Sequence, residues 1–324
     1  MIAALMLALA GPVATPPPPA DPLTVTVEAA DADRFAALYE RTQGKPTAEQ
    51  IQREYLDRGS YGVHVFMDGR IRNAAWLAKK VAAHPDLYSR AVRVCLPIVK
   101  ATAAELRATY LGLHGLLPEK PLPHIYLVVG ADNSGGTAGP GAQVLGLETL
   151  CRISATPDRL RAVVRSFYAH ETVHSWQDDA ESVNEGGALL TGVLVEGAAD
   201  FIATLVTGRQ IDPDRAAWGE AREAELWRQF AADVAATRAV RDMPKRGTPA
   251  GDAFYRWIGN YGDAPKGWPG EAGYWIGQRI WERWYAGQAD KGAAIRRMLT
   301  LERPEEILAG GVFKRDLPAT QQMR

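Results

Sequence analysis

The chain has 324 residues, more than one ordinary domain, so two packed lobes are expected. Apolar residues make up 47% and charged residues 23%, the proportions of a soluble globular protein with a sizeable core. Lys and Arg number 37 against 38 Asp and Glu, a net charge of −1. That balance argues against nucleic-acid binding through a broad basic field and against a polybasic membrane-surface role, and leaves peptide-like, mixed or uncharged partners open.

MIAALMLALA at 1–10 is a short apolar run, and Ala8-Leu9-Ala10 offers small residues at −3 and −1 for cleavage. The pattern reads as a secretory signal, although no Lys or Arg precedes the run. A misassigned initiator Met followed by a tail is the alternative. The run is too short for a permanent membrane span. TPPPPADP at 15–22 reads as a Pro-rich tether with no capacity to pack a core. The expectation is an exported protein, periplasmic or extracellular, without a stable membrane span. Cys95 and Cys151 are the two cysteines, either disulfide-bonded or two buried thiols, since both adjoin apolar runs. No CxxC spacing exists, which disfavours cysteine-ligated zinc.

Residues 31–60 and 71–112 read mostly as helix, with apolar residues at three- and four-residue spacing in Arg34–Tyr39, Ala74–Val81 and Ala101–Leu111. Pro118, Pro121 and Pro123 break the pattern. HIYLVVG at 124–130 reads as a strand, ADNSGGTAGPG at 131–141 as a Gly-rich loop, and AQVLGLETL at 142–150 as a second strand, giving a hairpin or two neighbouring strands. The loop lacks the order of a phosphate-binding motif. Thr156 is suited to cap a helix with Pro157 at its first position and an apolar face at Leu160, Val163, Val164 and Phe167. The expected organisation is therefore a signal-like segment and tether over 1–22, a helical and strand-containing lobe over 23–155, and a mainly helical lobe over 156–324, an α+β chain.

That helix continues into His170-Glu171-Thr172-Val173-His174. Two His at i and i+4 share one face, so both imidazoles can reach one ion at about 2.0–2.1 Å. Glu171 sits one residue round the helix, beside the metal, where a general base belongs. The pattern is HExxH, a zinc-binding pattern. A third ligand is indicated downstream. ALLTGVLVEGAADFIATLVTG at 188–208 is apolar except for Glu196 and Asp200. Its length would suit a bilayer, but two central carboxylates would each cost about 2.5–3.5 kcal/mol there. In a buried soluble helix the acids need partners. A zinc ion with its His ligands provides them: at i and i+4, Glu196 can bind the metal while Asp200 orients a ligating His. The alternative partner is an Arg in the core.

HExxH followed by ExxxD, with 22 positions between His174 and Glu196 (196 − 174), resembles the gluzincins, the thermolysin-like clan of zinc peptidases, and looks closest to bacterial predicted zinc-dependent proteases of unknown specificity within it. The resemblance covers about 160–205. It implies one Zn2+ held by His170, His174 and Glu196, Glu171 as general base, and Asp200 as acceptor for His170. It further implies a thermolysin-like fold and a peptide or protein substrate. A metzincin is excluded because its third His would fall at residue 180, which is Ala. All six His lie at or before position 174, so the downstream His of thermolysin-type enzymes has no counterpart. A Tyr must stabilise the oxyanion instead, and GEAGYWIGQRIWERWY at 270–285 offers Tyr274, with Arg279 in reserve. The same stretch also reads as a buried amphipathic helix. Five of the nine Trp lie between 257 and 284, and they could form a substrate wall. The aminopeptidase GxMEN motif is absent. Asp178, Asp179, Glu181 and Glu185 read as a solvated loop, Glu220–Glu225 with Arg222 and Arg228 as an ion-paired helix face, and His64, His84, His114 and His124 as structural. Two rival functions stay open: a zinc amidase acting on a non-protein substrate such as cell-wall peptide, and a zinc-stabilised binding protein without turnover.

Overall fold

A computed structural model describes residues 15–177 and 186–311. The apolar run at 1–10 and the acidic residues Asp178, Asp179, Glu181 and Glu185 lie outside the described residues. The chain is mixed α+β and divides into two compact units. One comprises Val25–Ala101 and Pro123–Leu160; the other comprises Thr102–Leu122 and the described chain from Arg161. The lobe boundary expected near 156 thus differs, because residues 102–122 group with the helical unit that follows from Arg161.

In the first unit, β1 (Val27–Glu28) leads into α1 (Ala30–Arg41), α2 (Ala48–Ile51), α3 (Tyr61–Phe66), α4 (Ala74–Ala83), α5 (Pro85–Arg90) and α6 (Leu96–Lys100), with α8 (Leu147–Arg152) following the sheet. The sheet has four strands in the order β1-β2-β4-β3, with β2 at His124–Val128, β3 at Gly136–Gly139 and β4 at Ala142–Gly146. β2 runs parallel to both β1 and β4, while β3 pairs antiparallel with β4. Ile125–Val128 and all of β4 are buried, which is why neither shows the alternation of a half-exposed strand, with Gln143 the one polar side chain buried among them.

Two strand expectations need correction. The Gly-rich stretch is not wholly loop, since Gly136–Gly139 folds back on β4 as the sheet edge. The second strand stops at Gly146, where an added Cβ would lie 2.3 Å from the Ser134 carbonyl oxygen, and LETLC turns into α8. There the Glu148 carboxylate, fully buried, accepts the N–H groups of Gly130 (2.9 Å) and Asp132 (3.1 Å) and anchors the end of β2. Burial pushes its pKa up to about 7 against those hydrogen bonds.

The two cysteines are disulfide-bonded, with Cα atoms 5.8 Å apart and both side chains buried. The Pro-rich stretch is docked rather than loose: the Pro18 carbonyl lies 3.0 Å from His124 Nε2, and Ala20 is buried. Prolines leave their carbonyls free to accept, so such a segment can attach without an apolar core. His124 Nδ1 also lies 2.8 Å from Glu28 Oε1.

The second unit contains α7 (Ala103–Leu116), α9 (Pro157–His174, from Arg161 on), α10 (Ala188–Thr207), α11 (Pro213–Glu220), α12 (Glu223–Thr237), α13 (Pro249–Tyr255), α14 (Ala272–Ala286), α15 (Lys291–Thr300) and α16 (Pro304–Gly311). Thr156 Oγ1 accepts the Arg159 N–H at the start of α9. α10 is long and apolar enough to cross a membrane, yet 67% of its apolar window is buried inside the protein. It packs backbone to backbone against α14. A Cβ on Gly197 would lie 2.2 Å from the Gly277 carbonyl carbon, and one on Gly277 would lie 2.0 Å from the Val193 carbonyl oxygen. Trp281 Nε1 donates to the Leu194 carbonyl at 2.9 Å across the same contact.

The charged run at 220–225 is not one helix face. α11 ends at Glu220 and α12 starts at Glu223, and Glu223 pairs with Arg283 (2.7 Å) and Arg279 (3.2 Å). Arg222 instead lies over the Trp218 ring. Nor do the five tryptophans form a common wall: Trp257, Trp275 and Trp281 are core residues.

Candidate metal centre

The last turn of α9 carries His170 and His174 on one face, as the four-residue spacing requires. α10 brings Glu196 to them from the neighbouring helix. His170 Nε2 and His174 Nε2 lie 2.9 Å apart, and Glu196 Oε2 is 3.2 Å from His174 Nε2 and 3.3 Å from His170 Nε2. Among the described residues these three form the one group of His, Cys, Asp or Glu side chains close enough to share an ion. A tetrahedral ion with bonds of about 2.0–2.1 Å spaces its ligand atoms roughly 3.3 Å apart. Both Glu196 separations match that spacing, and the imidazole pair is slightly tighter.

What surrounds the three atoms decides what they can bind. Asp200, one turn along α10, places Oδ1 2.8 Å from His170 Nδ1, and its Oδ2 accepts from Arg215 at 3.0 Å. A carboxylate can only accept, so Nδ1 of His170 carries the proton. Gln177 Nε2 donates to the Val195 carbonyl at 2.9 Å, which turns Gln177 Oε1 toward His174 Nδ1 at 2.7 Å. Nδ1 of His174 therefore donates as well. In neutral imidazoles both Nε2 atoms are then left with lone pairs, directed at each other and at the Glu196 carboxylate. Three acceptors converge with no donor between them, and only a cation or a proton relieves that arrangement.

The same demand for positive charge shows in the acid–base balance. Burial works against charging His170, yet the Asp200 and Glu196 carboxylates outweigh it and hold its pKa well above the ordinary imidazole value. His174 is raised too, with burial opposed by Glu196. Burial likewise works against ionising Glu196, but His174 and His170 hold its carboxyl well below the usual range. The site thus binds positive charge while sitting mostly inside the protein, with side-chain exposures of 11% for His170, 19% for His174 and 24% for Glu196.

Glu171 is half-buried at the same helix end. Tyr274 stands in the first turn of α14 with its ring parallel to His170, centroids 5.9 Å apart and planes at 3°. Burial and the nearby Glu196 push its hydroxyl pKa well above 10, so it is a neutral donor. Arg279, the reserve candidate, faces away into the ion pairs with Glu223 and Glu282.

The start of α14 is held by a reciprocal lock. Glu271 adopts a left-handed backbone (φ 57°) while its carboxylate accepts the N–H groups of Gly259 and Asn260, each at 3.0 Å. Asn260 Oδ1 accepts the Glu271 N–H at 2.8 Å in return. The left-handed conformation costs about 1–2 kcal/mol, which these three hydrogen bonds offset.

The structure therefore brings His170, His174, Glu196, Asp200 and Tyr274 together. Sequence reasoning did not single out Gln177 or Arg215. Gln177 stands three residues beyond His174, a spacing readable in the chain. Nothing local marks Arg215, whose partners come from α10 and α14: its guanidinium lies over the Tyr274 ring at 4.9 Å. Asp200 meets both His170 and a core Arg, Arg215, the two kinds of partner foreseen for it as alternatives. Compared with protein-family models, with curated proteins and with solved structures, the chain gives no match.

Proposed function

We propose that this chain is a single-zinc peptidase of the thermolysin-like, gluzincin kind, exported from the cytosol and acting on peptide or protein substrates. The observation that carries the reading is the convergence of His170 Nε2, His174 Nε2 and Glu196 Oε2 within 2.9–3.3 Å, with every donor that orients them placed outside the triangle. His and carboxylate donors suit zinc. The disulfide supports export, since such bonds persist in oxidising compartments.

A zinc ion here would supply Lewis-acid activation of the attacking water and the scissile carbonyl. His170, His174 and Glu196 would hold it, and Asp200 and Gln177 keep both imidazoles in the tautomer that leaves Nε2 free. Glu171, one residue round the helix from His170, takes a proton from the attacking water on its carboxylate and delivers it to the leaving amine. The neutral Tyr274 hydroxyl donates to the carbonyl oxygen as charge develops on it.

Metal analysis of purified protein with a peptide-library screen tests this reading. About one zinc per chain is expected, with cleavage that Glu171→Gln abolishes while zinc content stays intact. Protein free of metal after careful preparation, or undiminished cleavage by Glu171→Gln, would overturn it.

A further inference from the structure

We infer that Gln177 is a positioning residue that fastens the second and third metal ligands to each other. The inference rests on the metal-centre reading above and concerns a residue that touches neither metal nor substrate. Its side-chain amide has two ends with opposite chemistry, and each end meets a different helix. Oε1 accepts from His174 Nδ1 at 2.7 Å, at the C-terminal end of α9. Nε2 donates to the carbonyl of Val195 at 2.9 Å, the residue immediately before Glu196 on α10.

Val195 and Glu196 lie mid-helix, where a carbonyl is already engaged in the backbone ladder; its second lone pair is the one that Gln177 takes. The donor to Val195 fixes which way the amide faces, and that orientation presents oxygen to the imidazole. Reversal would place N–H against the Nδ1 proton and oxygen against a carbonyl, losing both bonds. One side chain therefore sets the tautomer of His174, the rotation of its ring, and the height of α10 at which Glu196 Oε2 arrives 3.2 Å from His174 Nε2. His170 has its own orienting pair in Asp200 and Arg215, so the Gln177 clamp serves His174 and Glu196.

The arrangement distinguishes this role from ordinary packing. Gln177 is only partly buried. What it supplies is a matched donor and acceptor at fixed separation. Shortening the side chain by one methylene leaves it able to satisfy one partner but not both.

Zinc and Co2+ binding, measured by competition with a chromophoric chelator on the full-length protein, together with the visible absorption spectrum of the Co2+ form, test the inference. Gln177→Met is expected to weaken metal affinity about 10–100-fold, the usual effect of losing an orienting partner, and to shift the Co2+ spectrum as the His174 ring turns. Gln177→Glu keeps an oxygen acceptor toward His174 Nδ1 but sets its second oxygen against the Val195 carbonyl, so it is expected to return the Co2+ spectrum toward wild type while metal affinity stays reduced. Wild-type affinity and spectrum in Gln177→Met would overturn the inference, as would full wild-type affinity in Gln177→Glu. If Gln177→Met fails to fold by circular dichroism, Gln177→Asn takes its place under the same criteria. Wild-type protein that takes up neither ion would overturn the metal-centre reading itself, a distinguishable result.

Discussion

The ring of Tyr274 lies parallel to that of His170, 5.9 Å away, and the Arg215 guanidinium covers Tyr274 while also holding Asp200, the partner of His170. Four side chains from α9, α10, α11 and α14 thus close a ring beside the converging Nε2 and Oε2 atoms of His170, His174 and Glu196. Each is held by two others, and disturbing one has readable consequences at the rest.

Tyr274→Phe keeps the stacked ring and removes only the hydroxyl. It is expected to lower kcat by about 100- to 1,000-fold, the usual cost of losing one oxyanion donor, with KM and metal content little changed. Steady-state kinetics on a peptide from the library screen measure this, and an unchanged kcat removes Tyr274 from the chemistry.

Asp200→Ala leaves His170 without its acceptor and Arg215 without its carboxylate. Zinc affinity should fall about 10–100-fold. Chelator competition reads it. Arg215→Met tests the other half of the pair. Asp200 is 1% exposed and would keep only His170, so leaving Oδ2 unpaired should destabilise the metal-free protein by about 1–3 kcal/mol in denaturant titration.

Gly277→Ala forces a methyl group into the Val193 carbonyl, 2.0 Å away, at the closest approach of α10 and α14. Parting the helices should cost about 1–3 kcal/mol or more and move Glu196 relative to Tyr274. A lower melting temperature together with weaker zinc binding is the expected outcome. By contrast, Gly247→Ala, in a loop where nothing lies within 4 Å, should leave zinc binding unaltered.

Glu148 predicts a pH dependence in the sheet-bearing unit. Its folded pKa, about 7, lies above the ordinary Glu value, so the folded state holds the proton more tightly than the unfolded state does. The associated stability is fully present below about pH 4.3, falls as pH rises through 7, and totals on the order of 3 kcal/mol. Glu148→Gln should flatten that part of the profile, measured as the difference in melting temperature from wild type between pH 5 and pH 8. Parallel profiles would refute the assignment.

Much of the site is legible in the chain because helix geometry is local. A period of 3.6 residues puts His170 beside His174 and Glu196 beside Asp200 whatever else the protein does. Two acids in an otherwise apolar stretch of 21 residues announce that they have partners. The sheet was less legible. A strand buried on both faces has no alternation, so the end of β4 at Gly146 and the pairing of Gly136–Gly139 depend on contacts between separate segments, the Glu148 carboxylate with the Gly130 N–H and the Ser134 carbonyl against Gly146. Pro-rich composition likewise said nothing of the Pro18 carbonyl that lies beside His124.

The sequence by itself determined which residue types could bind a cation and which pairs share a helix face, since covalent spacing and helical periodicity suffice for both. Tertiary structure alone decided that Glu196 comes within 3.3 Å of both imidazoles, that Arg215 among many basic residues reaches Asp200, and that Tyr274 rather than Arg279 faces His170. The reason is the glycine contact between α10 and α14. Where Gly197 and Gly277 remove the side chains, two backbones approach as closely as their atoms permit, and that approach sets which face of each helix meets the other.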